Sequence, residues 1–109
     1  MRMYEVMILP LAEEDIINNT DYIAFEKKAP ETALELAMGF RNSIAKLEFM
    51  PRQQELDEDE ELALRGIRKC YYKNYKIYFF IDEKNGIVCV LRVLHMLVNA
   101  KPLLLNIGF

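Results

Sequence analysis

GIRKCYYKNYKIYFFIDEKNGIVCVLRVLH, residues 66–95, decides the reading of the fold. From Gly66 onward apolar and polar side chains recur with a period of two. That predicts strands over 66–72, 75–82 and 87–95, joined by turns at Lys73-Asn74 and Glu83-Lys84-Asn85-Gly86. Asn85-Gly86 is the strongest hairpin signal in the chain, because both residues accept the positive φ that tight hairpin turns need. A two-residue turn there makes paired residue numbers sum to 171, so that Lys76 faces His95. A four-residue loop makes the sum 169. Both sums are odd, so either one places Lys76, Tyr78, Phe80 and His95 on one face and Arg92 on the other with Ile77 and Phe79.

Upstream of the strands the period changes. Residues 3–9, MYEVMIL, read as a first strand that Pro10 ends, since proline cannot donate to a ladder. A helix over 11–28 follows, with Ala12, Ile16, Thr20, Ile23 and Ala24 on one stripe and Glu13, Glu14, Asp15 and Asp21 off it. Pro30 suits a first helical turn, and Ala33, Leu36, Ala37, Phe40, Ile44 and Leu47 form one apolar face of a second helix running to about residue 49. The link between the helices is short, so they pair as an antiparallel hairpin. Gly39 costs about 1 kcal/mol relative to alanine inside a helix, and close approach of the two helices would account for it. Pro51 closes the second helix, and residues 52–63, RQQELDEDEELA, read as a solvated acidic linker that limits how anions approach the basic segment after it. The tail AKPLLLNIGF reads as a short helix or extended segment whose Leu103, Leu104 and Leu105 are costly to leave exposed together. The order β-α-α-β-β-β predicts an α+β fold, with a helical hairpin on one face of a small, mainly antiparallel sheet and the other face free to meet a partner.

The totals agree with one globular domain spanning residues 1–109. Of the 109 residues, 52% are hydrophobic and 28% charged. No apolar run reaches the roughly 18–20 residues of a membrane-spanning helix, and MRMYEVMILPLAEED is a poor signal peptide. Cys70 and Cys89 are too few for a disulfide framework or a zinc site, and they read as reduced packing residues of a cytoplasmic protein. No metal or cofactor is expected. The net charge of −3 hides an asymmetry: residues 1–63 carry 6 Lys/Arg against 15 Asp/Glu, a net −9, while residues 64–109 carry 8 against 2, a net +6. The C-terminal part therefore has the charge to meet an anionic partner.

YEVMILPLAEEDI, DYIAFEKKAPETA, LEFMP, GIRKCYYKNYKIYFFIDE and VLRVLHMLVN, in this order and spacing, resemble the RelE/ParE superfamily of toxins from type II toxin–antitoxin systems. The resemblance spans almost the whole chain. It implies a small α+β toxin held inactive by a cognate antitoxin protein that wraps it, occurring as a homodimer or a toxin–antitoxin hetero-oligomer. It also implies one of two targets: the ribosome and its mRNA, cut by RelE-like members, or DNA gyrase, blocked by ParE-like members.

Metal-free RNA cleavage needs a base for the 2′-hydroxyl, an acid for the leaving oxygen, and cations for the transition-state phosphate. Arg68 and Lys76 match basic family positions on the second and third strands, and His95 matches a histidine or tyrosine at the end of the last strand. These three are the candidate catalytic residues. Arg65, Arg68, Lys69, Lys73, Tyr75 and Arg92 are candidate partner- or nucleic-acid-binding residues, since cations interleaved with aromatic rings can hold phosphates and stack bases. Leu97, Val98 and Leu104 are the candidate antitoxin contacts. A lone strand histidine among apolar neighbours is, however, most often a packed residue. The chain also departs from the nuclease pattern. Where many relatives carry a small residue, two arginines and Asp or Asn, it has Met96, Leu97, Val98 and Asn99, and residues 100–109 contain no tyrosine to match the family's C-terminal catalytic one. The expectation is a ParE-like inhibitor, with a RelE-like endoribonuclease and a degenerate toxin that only binds its antitoxin as the alternatives.

Overall fold

The computed structural model describes residues 3–107. Four strands form one sheet: β1 (Glu5–Ile8), β2 (Arg68–Tyr72), β3 (Tyr75–Asp82) and β4 (Ile87–His95), in the order β1-β4-β3-β2. β1 runs parallel to β4, and the other two pairings are antiparallel. Helix α1 (Pro10–Asp21) starts with proline at a position whose N–H would have no helical partner anyway. Its last turn widens to five-residue spacing over Tyr22–Glu26, with the Lys27 amide donating to the Tyr22 carbonyl at 3.2 Å. Helix α2 (Pro30–Ala45) returns antiparallel and tightens into a turn over Lys46–Glu48. Arg41 of α2 clasps Glu13 of α1 with both guanidinium arms.

The expected hairpin packs on the expected face. Ala12 and Ile16 of α1, and Leu36, Phe40 and Ile44 of α2, bury against Ile77, Phe79, Val88, Val90 and Val93. The glycine of α2 has a different purpose from the one anticipated. A Cβ at Gly39 would lie 1.9 Å from the Tyr72 hydroxyl, so the close approach is between α2 and a strand tyrosine, not between the two helices. Gly39→Ala should cost about 1 kcal/mol net, because the tyrosine must leave its edge-on contact with Phe40 (centroids 5.6 Å apart). In a Tyr72→Ala background the same change should stabilise by about 1 kcal/mol through helix propensity alone. Urea denaturation of the four proteins reads this reversal of sign.

The opposite face of the sheet is not free. Residues 52–63 are not a solvated linker but a tight turn (Pro51–Gln53), a strap and a short helix, α3 (Glu60–Leu64). The strap pairs with the outer edge of β2: Asp57 N–H donates to Ile67 (2.9 Å) and Lys69 N–H to Glu55 (3.4 Å). With α4 (Ala100–Leu105), α3 covers a second core of Leu62, Ile67, Tyr78, Leu91, Leu94, Ala100 and Leu104. The sheet therefore lies between a helical hairpin and a smaller helical cover.

The register corrects the expected sidedness. The loop after β3 is the four-residue one: Asp82 pairs with Ile87, and its carboxylate takes Asn85 N–H at 3.1 Å and Asn85 Nδ2 at 2.8 Å. The odd sum of 169 then holds only as far as Phe79↔Val90. A bulge at Leu91 inserts one residue into β4, and beyond it Tyr78 opposes Arg92, Lys76 opposes Leu94 and Tyr75 opposes His95. One inserted residue moves His95 off the face of Lys76, Tyr78 and Phe80 and onto that of the helical hairpin.

Candidate partner interface

The second-strand cations divide by the pleat of β2. Arg68 opposes Phe79 and lies on the hairpin side, while Lys69 opposes Tyr78 and Lys76 opposes Tyr71 on the α3/α4 side. Arg68 and Lys76 thus point to opposite faces, and the shared cationic surface expected from the sequence is not formed. The Arg68 guanidinium reaches back to the turn before the strap, donating to the Gln54 carbonyl at 2.6 Å and the Arg52 carbonyl at 3.3 Å.

Lys69 is buried to 7% exposure. Its ammonium bonds the outward-lying Glu58 and lies 3.4 Å from the equally buried Asp57. Burial opposes its charge, but the bond to Glu58 and the charges of Asp57 and Glu58 outweigh that and raise its pKa. Arg92 is likewise internal. Its Nε and Nη2 donate to the two Asp15 oxygens at 2.7 and 2.8 Å, and one of those oxygens also takes the Val93 N–H at 3.0 Å. Asn19 Nδ2 donates to the Val93 carbonyl at 3.3 Å. The cause is a difference in strand length. β1 ends opposite Val90, so the outer edge of β4 beyond that point has no ladder partner, and two side chains of α1 supply one.

His95 serves as a local brace. Its Nδ1 accepts the Leu97 N–H at 3.2 Å, so a neutral ring carries its proton on Nε2. Its edge meets Tyr75 (centroids 5.4 Å apart), and Tyr75 in turn meets Phe40 (5.0 Å). Burial pushes the Tyr75 phenol up from its ordinary pKa. Lys73 sits in the β2–β3 turn with its ammonium 5.7 Å from the Tyr72 ring. Arg65, at the end of α3, donates to the Leu105 carbonyl at 3.4 Å. Of the candidate antitoxin contacts, Leu97 (87% exposed) and Val98 (42%) stand out from the surface as expected. Leu104 does not, because it is fully buried in the second core, with Leu103 and Leu105 packed against that core.

Clefts open on both sides of the sheet. A cleft of about 370 Å³ on the α3/α4 side is lined by Asp57, Glu58, Asp59, Lys69, Lys76, Tyr78, Val98, Asn99 and Lys101. A groove of about 580 Å³ between α2 and β2 is lined by Glu35, Met38, Gly39, Asn42, Ser43, Lys46, Tyr71 and Tyr72. Exposed Tyr22, Phe25, Leu34 and Met38 give the helical hairpin an apolar outer surface. Among the described residues, no helix is long and apolar enough to cross a membrane. Asp15, Asn19 and Asp57 were missed in the sequence. For the first two, the mismatch between a short β1 and a long β4 appears only in the structure.

This arrangement has known relatives. The family model described as the ParE toxin of the type II toxin–antitoxin system parDE matches residues 6–97. The fold is similar to a chain of the chromosomal ParDE toxin–antitoxin system from P. aeruginosa, with a TM-score of 0.69 at 17% identity over 85% of this chain and 96% of that one. It is also similar to a chain of the RelBE2 toxin–antitoxin complex from Mycobacterium tuberculosis, with a TM-score of 0.60 at 24% identity over 87% and 93%. No curated protein matches the sequence significantly. The strand order, the helical hairpin and a family match over residues 6–97 lead to one conclusion: the chain belongs to the ParE toxin family, within the RelE/ParE superfamily of type II toxin–antitoxin toxins.

Proposed function

We propose that this toxin acts by binding and blocking its target, in the manner of a ParE-like gyrase inhibitor, and that a cognate antitoxin neutralises it. The observation that carries this reading is the division of the would-be catalytic residues. Arg68 and Lys76 lie on opposite faces, and His95 has turned to the hairpin side with Nδ1 occupied by a backbone amide. Phosphoryl cleavage needs acid, base and cation within hydrogen-bond reach of one phosphate, and these three residues do not converge on one. The likeness to chains from toxin–antitoxin complexes supports an antitoxin partner, and the exposed Leu97 and Val98 offer it an apolar foothold. Induction in a bacterial host without the antitoxin should arrest growth, with gyrase-dependent DNA breaks and intact mRNA, and co-expression of the antitoxin should restore growth. Codon-phased mRNA cuts that require translating ribosomes would establish the nuclease reading instead. Normal growth would leave only antitoxin binding.

A further inference from the structure

The outer edge of β2 is only partly covered. Alternation along the strand decides where each backbone group points. Lys69 donates its N–H outward to Glu55 of the strap, so Tyr71, two residues on, also turns its N–H and C=O outward, while those of Cys70 and Tyr72 point to β3. The strap does not run alongside β2 that far. Ahead of Glu55 the chain is turned aside, where the Arg68 guanidinium holds the Gln54 and Arg52 carbonyls. Among the described residues, nothing pairs with the Tyr71 N–H or C=O.

That bare step of ladder opens on a groove. The cavity between α2 and β2 adjoins a second one of about 330 Å³, lined by Phe49, Met50, Pro51 and Cys70, and the two share Ser43, Lys46 and Tyr71. The Tyr71 side chain lies on the other face, with Lys69, so what Tyr71 turns to the groove is its strand edge. Met38, Phe49 and Met50 stand exposed along the groove. Met50 is held at a φ of 50°, a left-handed backbone that side chains of its size seldom adopt. The charged side chains of the groove are Glu35 and Lys46, one of each sign, so charge selects no partner here. Backbone hydrogen bonding does.

We propose that the β2 edge at Tyr71 is a docking site for an extended segment of a partner protein, which adds antiparallel to β2 beyond the end of the strap and sets alternate apolar side chains into the α2–β2 groove. The occupant follows from the geometry. A bare strand edge exchanges its paired N–H and C=O bonds with another extended backbone, and a nucleic-acid strand has no such ladder to offer. The strap already pairs antiparallel with β2, so a segment in the same sense continues its ladder. In that arrangement the residue opposite Tyr71 lies on the α3/α4 face, and its two neighbours point into the groove, one towards Met38 and one towards Phe49 and Met50. A second copy of this chain, paired edge to edge through its own β2, fits less well. It would bring Cys70 and Tyr72, which already pack on its own first core, and would leave the groove unfilled. The site is defined by the toxin's own backbone and is tested without an antitoxin.

The probe is a short acetylated and amidated peptide of alternating threonine and valine, titrated into the purified full chain, with the backbone amide shifts of Gly39 and Cys70 as the readout. The valines enter the groove, so the threonines carry the amides that face Tyr71. Methylating the threonine nitrogens should therefore weaken binding about tenfold or more, and methylating the valine nitrogens less than about twofold. Tyr71→Pro removes an N–H that no ladder bond of the chain uses, and should weaken binding about tenfold. Met50→Gly suits the left-handed backbone and takes away one wall of the groove. It should weaken binding about two- to fivefold with the urea midpoint unchanged or higher. Failure of the unmodified peptide to bind, equal loss from both methylated peptides, or binding that Tyr71→Pro and Met50→Gly leave intact would each overturn the assignment. So would Gly39 and Cys70 shifts that follow protein concentration alone, the sign of a second copy on this edge. None of these outcomes depends on whether the toxin arrests growth.

Discussion

Asp15→Ala is expected to destabilise the protein by about 3–5 kcal/mol, the cost of breaking a buried ion pair by removing one partner. Two losses contribute. The Arg92 guanidinium, 15% exposed, is left without the carboxylate that takes both Nε and Nη2. The Val93 N–H is left without an acceptor, on a strand edge that β1 does not reach. Domains of this size are stable by about 5–15 kcal/mol, so the variant should lose about a fifth of that margin or more. Asp15→Asn keeps an oxygen for the Val93 amide but not the charge, and should cost about 2 kcal/mol. Arg92→Met in the Asp15→Asn background removes the stranded cation and should recover part of that. Equilibrium urea unfolding of the three variants measures the series. A loss of under about 1 kcal/mol for Asp15→Ala would show that α1 does not substitute for the missing ladder.

The residues that hold this joint were the ones pattern reading handled worst, for a physical reason. The periods of two and 3.6 report which side chains meet an apolar core, and they located all four strands and both long helices to within a few residues at most ends. They carry no information about a strand edge that outruns its neighbour, so Asp15 looked like a surface carboxylate. The bulge at Leu91 escaped for a related reason. IVCVLRVLH is apolar on both faces because the sheet is covered on both, so a one-residue insertion leaves no break in alternation to see. With that insertion unseen, the pairing of His95 with Lys76 followed, and so did the shared face of a catalytic constellation. The acidic run DEDEEL was legible in principle. Asp59 caps α3 by accepting the Leu62 amide at 3.1 Å, and acidic residues fill the first helical turn, both standard starting signals. Its net charge gives the same run the look of a solvated linker. The family resemblance rested on order and spacing, which survive such local errors, whereas the site residues depended on register.

Lys69 gives the second large effect, and it separates buried charge from surface charge within one cluster. Lys69→Met keeps the apolar stem of the side chain but strands Asp57, which is 8% exposed against the second core, and should cost about 3 kcal/mol. Lys69→Met with Asp57→Asn should return most of that loss. The asparagine oxygen can still take the Asp59 N–H, and no buried charge remains. Glu58→Gln should change stability by no more than about 1 kcal/mol, although its bond to Lys69 is the closest contact in the cluster, because its side chain is 78% exposed and its charge is well solvated without the lysine. Chemical denaturation at fixed ionic strength, with a double-mutant cycle for Lys69 and Asp57, gives the coupling directly. A large coupling with a small Glu58 effect would show that the buried carboxylate, not the exposed one, fixes Lys69. A Glu58 effect as large as that of Asp57 would instead make the exposed carboxylate a structural partner of Lys69 in its own right.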